Sequence, residues 1–370
     1  MFTSFIFVKK SVLVTYPSIS KNYLKESGSV SFASPSNIAL VKYWGKREVQ
    51  IPQNASLSFT LTNCRSETTI HFEKKSVVDD AFSIEFLFEG LPKPSFEPKI
   101  LTFFKRIEKY CPFLKDFHFK IESINTFPHS SGIASSASSM SAIAVALVAI
   151  EEELGNVLTD KQSLEKASLL ARLGSGSACR SIEGPIMVWG GHPNIKGSND
   201  EFAVTLEDQI HPIFDSYQDT ILLIDKGEKQ VSSTVGHNLM YGHPFAEKRF
   251  EQANENIELL KQALINGDIN KFIEIVESEA LTLHAMMMTS SPYFILMKPK
   301  TLEAIEAIWA FRKETSIPLC FTLDAGANVH LLYPEKWKNE VFEFIESELS
   351  QKCQNNQYIC DSVGNGAFKL

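Results

Sequence analysis

Between Phe117 and Glu122 apolar and polar positions alternate, with Phe117, Phe119 and Ile121 set against His118, Lys120 and Glu122. That period predicts a strand buried on one face. It feeds a loop of small residues, Thr126-Phe-Pro-His-Ser-Ser-Gly-Ile-Ala-Ser-Ser-Ala-Ser-Ser139, which opens into an apolar stretch from Met140 to Leu154 that reads as a long helix. Thr159 and Gln162 form a capping-box start for a second helix, which ends near Leu173 where Gly174 stops it. Residues 190–200, rich in Gly, Pro and Asn, predict a turn region.

From about Asp208 the rhythm changes. Asp219–Asp225 reads as a buried strand, Phe245–Ile265 and Asp268–Leu283 as two long helices, and Thr301–Lys313 as a third. Ile317–Leu323 and Val329–Tyr333 read as strands hinged at Asp324–Asn328, with Trp337–Leu349 as a last helix before a Gly-containing tail. No internal repeat and no low-complexity tract interrupts the pattern. Mixed elements without regular β-α-β alternation predict an α+β fold rather than a doubly wound sheet. The divisions expected are an extension at 1–29, a first domain at 30–207 and a second at 208–370.

Composition narrows the chemistry. A formal net charge of −8 argues against a nucleic-acid surface, although local basic residues can still build an anion site inside an acidic protein. The six cysteines contain no C-x-x-C pair, so free thiols in a reducing, cytoplasmic setting are expected rather than a disulfide framework. The nine histidines form no H-x-x-x-H, which speaks against a structural zinc site. No apolar run approaches a membrane span. Met1–Val14 is apolar around Lys9 and Lys10 but lacks the order of a signal peptide, and reads as an upstream start or a loosely packed extension.

Four segments carry candidate chemistry. The small-residue loop at 126–139 precedes a helix start, where backbone N–H groups and the positive end of the dipole can cradle a polyphosphate; the plainer alternative is a capped Ser/Ala-rich helix with no ligand. Lys42 and Lys46, with aromatics between them and Asn37 ahead, form either a wall of an anion pocket or a surface strand with two solvated lysines. Arg172-Leu-Gly-Ser-Gly-Ser-Ala-Cys-Arg-Ser181 lacks the third glycine of a dinucleotide fingerprint. It reads better as another helix N-terminus with Arg180 one or two turns in, offering a planar fork to a carboxylate or phosphate, or else making an ordinary ion pair. Asp324, at the end of an apolar strand before a Gly turn, either handles the proton of a substrate hydroxyl or makes an Asx turn. Together they suit phosphoryl transfer from a nucleotide. Neither a G-x-x-x-x-G-K-[ST] loop nor the protein-kinase set is present.

The strings Ser36-Asn-Ile-Ala-Leu-Val-Lys-Tyr-Trp-Gly-Lys46, Asn125-Thr-Phe-Pro-His-Ser-Ser-Gly-Ile-Ala-Ser-Ser136, Gly174-Ser-Gly-Ser-Ala-Cys-Arg-Ser181, Val231-Ser-Ser-Thr234 and Asp324-Ala-Gly-Ala-Asn328 resemble, in order, those of the GHMP kinase superfamily and within it the diphosphomevalonate decarboxylase family. The K-Y-W-G-K and G-S-G-S-A-C-R-S strings are specific to that family, whereas the Ser-rich loop is shared across the superfamily. The resemblance implies the GHMP kinase fold: an N-terminal ribosomal protein S5 domain 2-like domain, and a C-terminal ferredoxin-like α/β-sandwich domain. It implies ATP with Mg²⁺, and mevalonate 5-diphosphate phosphorylated on its 3-hydroxyl and decarboxylated to isopentenyl diphosphate.

Roles follow by the same resemblance. Asp324 acts on the 3-hydroxyl with Lys42 beside it, and Arg180 holds the substrate carboxylate with help from Asn37. Tyr43, Lys46, Ser175, Ser177, Ser232 and Ser233 fall on the substrate side. Ser130, Ser131, Gly132, Ala134, Ser135 and Ser136 form the phosphate loop, with Mg²⁺ arriving on ATP near Ser136 rather than on a protein cluster. No nucleic acid or membrane partner is implied, and a homodimer is left open. Three departures remove no residue assigned a chemical role: Ala327 where the family usually has Pro, His129-Ser130-Ser131 in the loop, and Val363-Gly-Asn-Gly366 in the tail. The alternatives are a phosphomevalonate decarboxylase, a 3-kinase that does not decarboxylate, and a catalytically silent ligand-binding member of the fold.

Overall fold

Two long strands, Ser27–Val41 and Ser56–Lys74, run antiparallel through the computed structural model and carry most of its organisation. The structure describes residues 16, 17, 19–77, 79–128, 133–227 and 233–370. The larger sheet has the order Phe368–Lys369, Ser27–Val41, Ser56–Lys74, Phe117–Asn125, Ser83–Phe88, Leu91–Pro92, with Ile186–Trp189 also pairing on Ser56–Phe59 and Val204–Thr205 beyond it. Phe117–Asn125 forms the strand that its alternation predicts, in the register Phe72↔Phe119 and Ile70↔Ile121. Its inward rings meet Phe104 and Phe113 under the helices Glu97–Ile107, Ser135–Glu153 and Asp160–Gly174. A fully buried phenylalanine in such a cluster contributes about 3–5 kcal/mol, judged by the cost of truncating it to alanine.

The smaller sheet is antiparallel in the order Cys320–Thr322, Val329–Tyr333, Gln218–Leu222, Tyr358–Ser362. Pro299–Thr315 and Lys338–Phe344 contribute to the core on one face. The helices Ala246–Asn266 and Ile269–Met288 pack in a second cluster, which takes Ile221 and Leu332 from this sheet and Ile38, Leu40, Val41, Leu57 and Phe59 from the long strands. The two sheets therefore share one apolar layer, and the chain's tail returns to the first sheet at Phe32↔Lys369. Asp361 strengthens the junction by accepting the N–H groups of Thr62, Asn63 and Cys64 at 3.0, 2.8 and 2.6 Å.

Several boundaries differ from the sequence pattern for local reasons. The helix expected from Met140 begins at Ser135, after Ala134 adopts a left-handed φ of 42°. The capping box at Thr159 and Gln162 is formed. The last helix breaks into a 3₁₀ turn, Lys338–Phe344 and a π turn over Ile345–Leu349. The stretch Gly176–Ser181 is a short 3₁₀ turn rather than the start of a long helix, so Arg180 lies near its end. No helix among the described residues is long and apolar enough to cross a membrane.

Candidate active site

The unbroken apolar run Ile38-Ala-Leu-Val41 is buried on both faces and carries the end of its strand into the shared core. Lys42 follows directly and is only 1 % exposed, which removes the alternative of a solvated surface lysine. Its Nζ donates to the Ala39 carbonyl at 2.6 Å and to Asp324 Oδ1 at 3.3 Å. Burial pulls the Lys42 pKa below its ordinary value; Asp324 and Glu279 oppose that shift and Arg180 reinforces it.

Asp324 comes from the other sheet, at the mouth of the turn between Cys320–Thr322 and Val329–Tyr333. Its side chain stays about one quarter open (26 %), so the carboxylate is reachable while its neighbours are sealed. His284 Nε2 lies 3.1 Å from the Asp324 carbonyl oxygen, and burial lowers the His284 pKa to about 4. The ring is therefore neutral at pH 7, and its contact with a carbonyl places the proton on Nε2.

Arg180 is buried beside this pair. Nη1 donates to Ser56 Oγ, Nη2 to Asn37 Oδ1 at 3.3 Å, and Nε has no protein partner. Burial lowers its pKa from the ordinary arginine value. Asn37 is fixed in turn by donating to Ser181 Oγ at 2.8 Å and to the Ser177 carbonyl at 3.2 Å. A guanidinium held by neutral partners, with one nitrogen uncommitted, is a receptor for an anion.

The aromatic wall stands next to it. Tyr43 packs on Trp189 and His237, with ring centroids 4.7 and 4.3 Å away. Its buried hydroxyl has no protein partner, and a Cβ at Gly176 would lie 2.8 Å from that oxygen, so the turn needs glycine there. His237 accepts the Gly45 N–H at 3.0 Å and is pushed down to about 3 by burial, with the Lys46 charge adding to the shift. Lys46 Nζ donates to Gln50 Oε1 at 3.0 Å.

Of the serines at the helix start, Ser138 and Ser141 turn inward to Ser66 and Ser34 and serve the packing of the helix on the sheet. Ser135 and Ser136 remain accessible, no side chain caps the helix, and Ser136 Oγ lies 3.4 Å from Ser175 Oγ. An uncapped start of a 19-residue helix suits the phosphates of a nucleotide. The expectations for Ser130, Ser131, Gly132 and Ser232, and for the side chain of Ser233, lie outside what the structure describes. No group of three or more His, Cys, Asp or Glu among the described residues is arranged to hold a metal ion.

Sequence reasoning missed Ser56, Glu279 and His284. Glu279 accepts the Lys42 backbone N–H at 2.8 Å and is itself held by Arg249 and Asn256. A histidine inside an apolar helical run is most often a satisfied core residue, and no local pattern tells which carbonyl it will meet.

The chain is similar to known proteins along most of its length. Residues 34–201 match the diphosphomevalonate decarboxylase-like N-terminal domain, and residues 220–367 match the mevalonate 5-diphosphate decarboxylase C-terminal domain. The chain is 28% identical over 328 residues to the diphosphomevalonate decarboxylase of Candida albicans, covering 86% of this chain and 87% of that protein. It is 25% identical over 312 residues to the phosphomevalonate decarboxylase of Haloferax volcanii, covering 83% and 88%. The solved complex of MDDEF with MVAPP, AMPPCP and magnesium superposes with a TM-score of 0.79 at 29% identity, covering 93% of this chain and 99% of that one. With matching domains in both halves, in the order that the two sheets follow, the chain adopts the GHMP kinase fold and belongs to the diphosphomevalonate decarboxylase family.

Proposed function

We infer that this protein is an ATP-dependent decarboxylase that converts mevalonate 5-diphosphate into isopentenyl diphosphate by way of 3-phosphorylation, as a step of isoprenoid synthesis. The observation that carries the reading is the convergence of an accessible carboxylate, Asp324, with two buried cations, Lys42 and Arg180. Asp324 accepts the proton of the 3-hydroxyl while its oxygen bonds to the γ-phosphorus of ATP and ADP leaves. Lys42 keeps the carboxylate oriented and offsets charge on the reacting oxygens. Ser136 at the open helix start would lie beside Mg²⁺ carried by ATP, which would supply charge neutralisation for the transferring phosphate.

Arg180 and Asn37 hold the substrate carboxylate through the second stage. The C3–O bond to phosphate breaks, the C1–C2 bond releases carbon dioxide, and its electron pair becomes the C2–C3 double bond. Tyr43, Lys46, Ser175, Ser177, Ser232 and Ser233 form the diphosphate side of the pocket. Ser130, Ser131, Gly132, Ala134, Ser135 and Ser136 form the nucleotide side. A boundary near 207 and 208 separates the two functional halves, the protein works in the cytoplasm, and a homodimer is compatible with this arrangement.

The alternative with a specific relative behind it is decarboxylation of mevalonate 5-phosphate, the activity named for the Haloferax volcanii protein. One experiment separates the readings: purified protein, Mg-ATP and each mevalonate derivative in turn, with ADP and carbon dioxide followed together. Equal amounts of both from the diphosphate, and little from the monophosphate, are expected. ADP without carbon dioxide would make the protein a 3-kinase, and no ADP from any derivative would leave a silent binder.

A further inference from the structure

Lys42 and Asp324 belong to different sheets, and their separation of 3.3 Å is longer than the roughly 2.7–2.9 Å of a relaxed ammonium–carboxylate contact. Beyond that contact, each residue is gripped through its main chain by the same helix, Ile269–Met288. Glu279 accepts the Lys42 N–H at 2.8 Å. Five residues further along, His284 Nε2 donates to the Asp324 carbonyl oxygen at 3.1 Å.

We propose that helix Ile269–Met288 is the spacer that fixes the reacting pair, with Glu279 and His284 acting as positioning residues on Lys42 and Asp324. The inference rests on the reading of that pair as the proton-handling groups. Both grips act on the main chain, not on the reacting side-chain atoms.

Both grips are stiff. Glu279 is fully buried and receives Arg249 through Nη1 at 3.1 Å and Nη2 at 2.5 Å, and Asn256 Nδ2 at 2.6 Å. The Lys42 carbonyl is held from the other side by Asn54 Nδ2 at 2.9 Å. Three apolar clusters lock the helix: Phe272, Ile275 and Val276 lie with the long strands, Ala280 with Phe321, and Leu283 and Met287 with Trp44. A helix pinned in three places transmits position rather than absorbing it.

The test compares wild-type protein with His284→Leu and His284→Gln. Leucine removes the donor, whereas the glutamine amide nitrogen can reach the place of Nε2. His284→Leu should lower kcat by roughly 10²-fold, the scale of a misplacement near 1 Å. KM for ATP and for the mevalonate substrate should stay within about threefold, because binding groups are untouched. His284→Gln should recover most of the loss.

A second readout does not require turnover. Lys42 faces Asp324, Glu279 and Arg180, and Asp324 is the largest influence holding its pKa up against burial. Loosening the pair should move the Lys42 titration, followed by NMR of ¹³C-labelled lysine, to lower pH in His284→Leu and not in His284→Gln. The alkaline limb of kcat should move with it. Near-wild-type kcat in His284→Leu, equal losses in both variants with matching falls in Tm, or an unmoved Lys42 titration would each overturn the spacer. A wild-type protein that makes no ADP would instead break the functional reading, while the lysine titration would still decide the spacer.

Discussion

Arg180→Lys keeps a buried positive charge and nearly the same length, so it isolates what the guanidinium's shape contributes. In the structure one terminal nitrogen is bonded to Ser56 Oγ and the other to Asn37 Oδ1, with Nε uncommitted. An ammonium presents its donors from one atom. It cannot keep Ser56 and Asn37 in place and also meet two oxygens of a substrate carboxylate. Losing one charge-assisted hydrogen bond of about 1.5–3 kcal/mol corresponds to a fall of roughly 10- to 150-fold in turnover. The assay measures carbon dioxide and ADP from mevalonate 5-diphosphate in parallel, with calorimetry for ATP and for substrate. Decarboxylation should fall across that range while ATP affinity moves little. If ATP affinity collapsed and the mevalonate substrate bound normally, Arg180 would belong to the nucleotide side and the carboxylate assignment would be wrong.

Asp324→Asn should keep the fold and substrate binding but lose most turnover, because an amide cannot accept the hydroxyl proton; ADP release near the wild-type rate would remove Asp324 from that role. A pH dependence of stability follows from His237 and His284, lowered by burial to about 3 and about 4. A depressed histidine adds stability above its unfolded pKa near 6.5 and loses it as pH falls toward the folded value. Each should therefore cost up to about 1.4 kcal/mol per pH unit below 6.5. Urea midpoints at pH 7, 5.5 and 4.5 should fall in that order, less steeply in His284→Gln, and a flat series would contradict the burial argument.

The elements that the sequence announced are those set by neighbours along the chain. The strand at 117–125, the capping box at Thr159 and the hinge between the strands around Asp324 all come from local period or local chemistry. Lys42 is ambiguous in sequence because two lysines flanking aromatics fit a wet strand as well as a pocket. The decisive signal was the run of apolar residues from Ile38 to Val41, typical of strands buried on both faces, which draws Lys42 inward. The sequence puts Arg180 on a longer helix than exists, since Gly-Ser-Gly-Ser supports several turn types equally well. Contacts of long range left no such trace: Asp361 reaching three amides nearly 300 residues away, and Phe368–Lys369 pairing on Ser27–Val41, are consequences of topology.

The electrostatics of the pocket explain how a chain of net charge −8 accepts a substrate carrying a carboxylate and phosphates. Arg249 and Glu279 cancel one another in a buried pair, and Lys42 is partly answered by Asp324. Arg180 donates to two neutral oxygens, those of Ser56 and Asn37, with the Asp324 carboxylate near enough to be felt. A buried cation hydrogen-bonded to neutral groups costs folding free energy: burial drives its pKa down, and Asp324 offsets only part of that. On the proposed function, a substrate carboxylate would add counter-charge at low dielectric, where it would be held more strongly than in water. The same strain on the free enzyme is thus a binding contribution for the anion, and the anion must stay until its carbon–carbon bond breaks. Release becomes easier at that moment, because carbon dioxide carries no charge for Arg180 to hold.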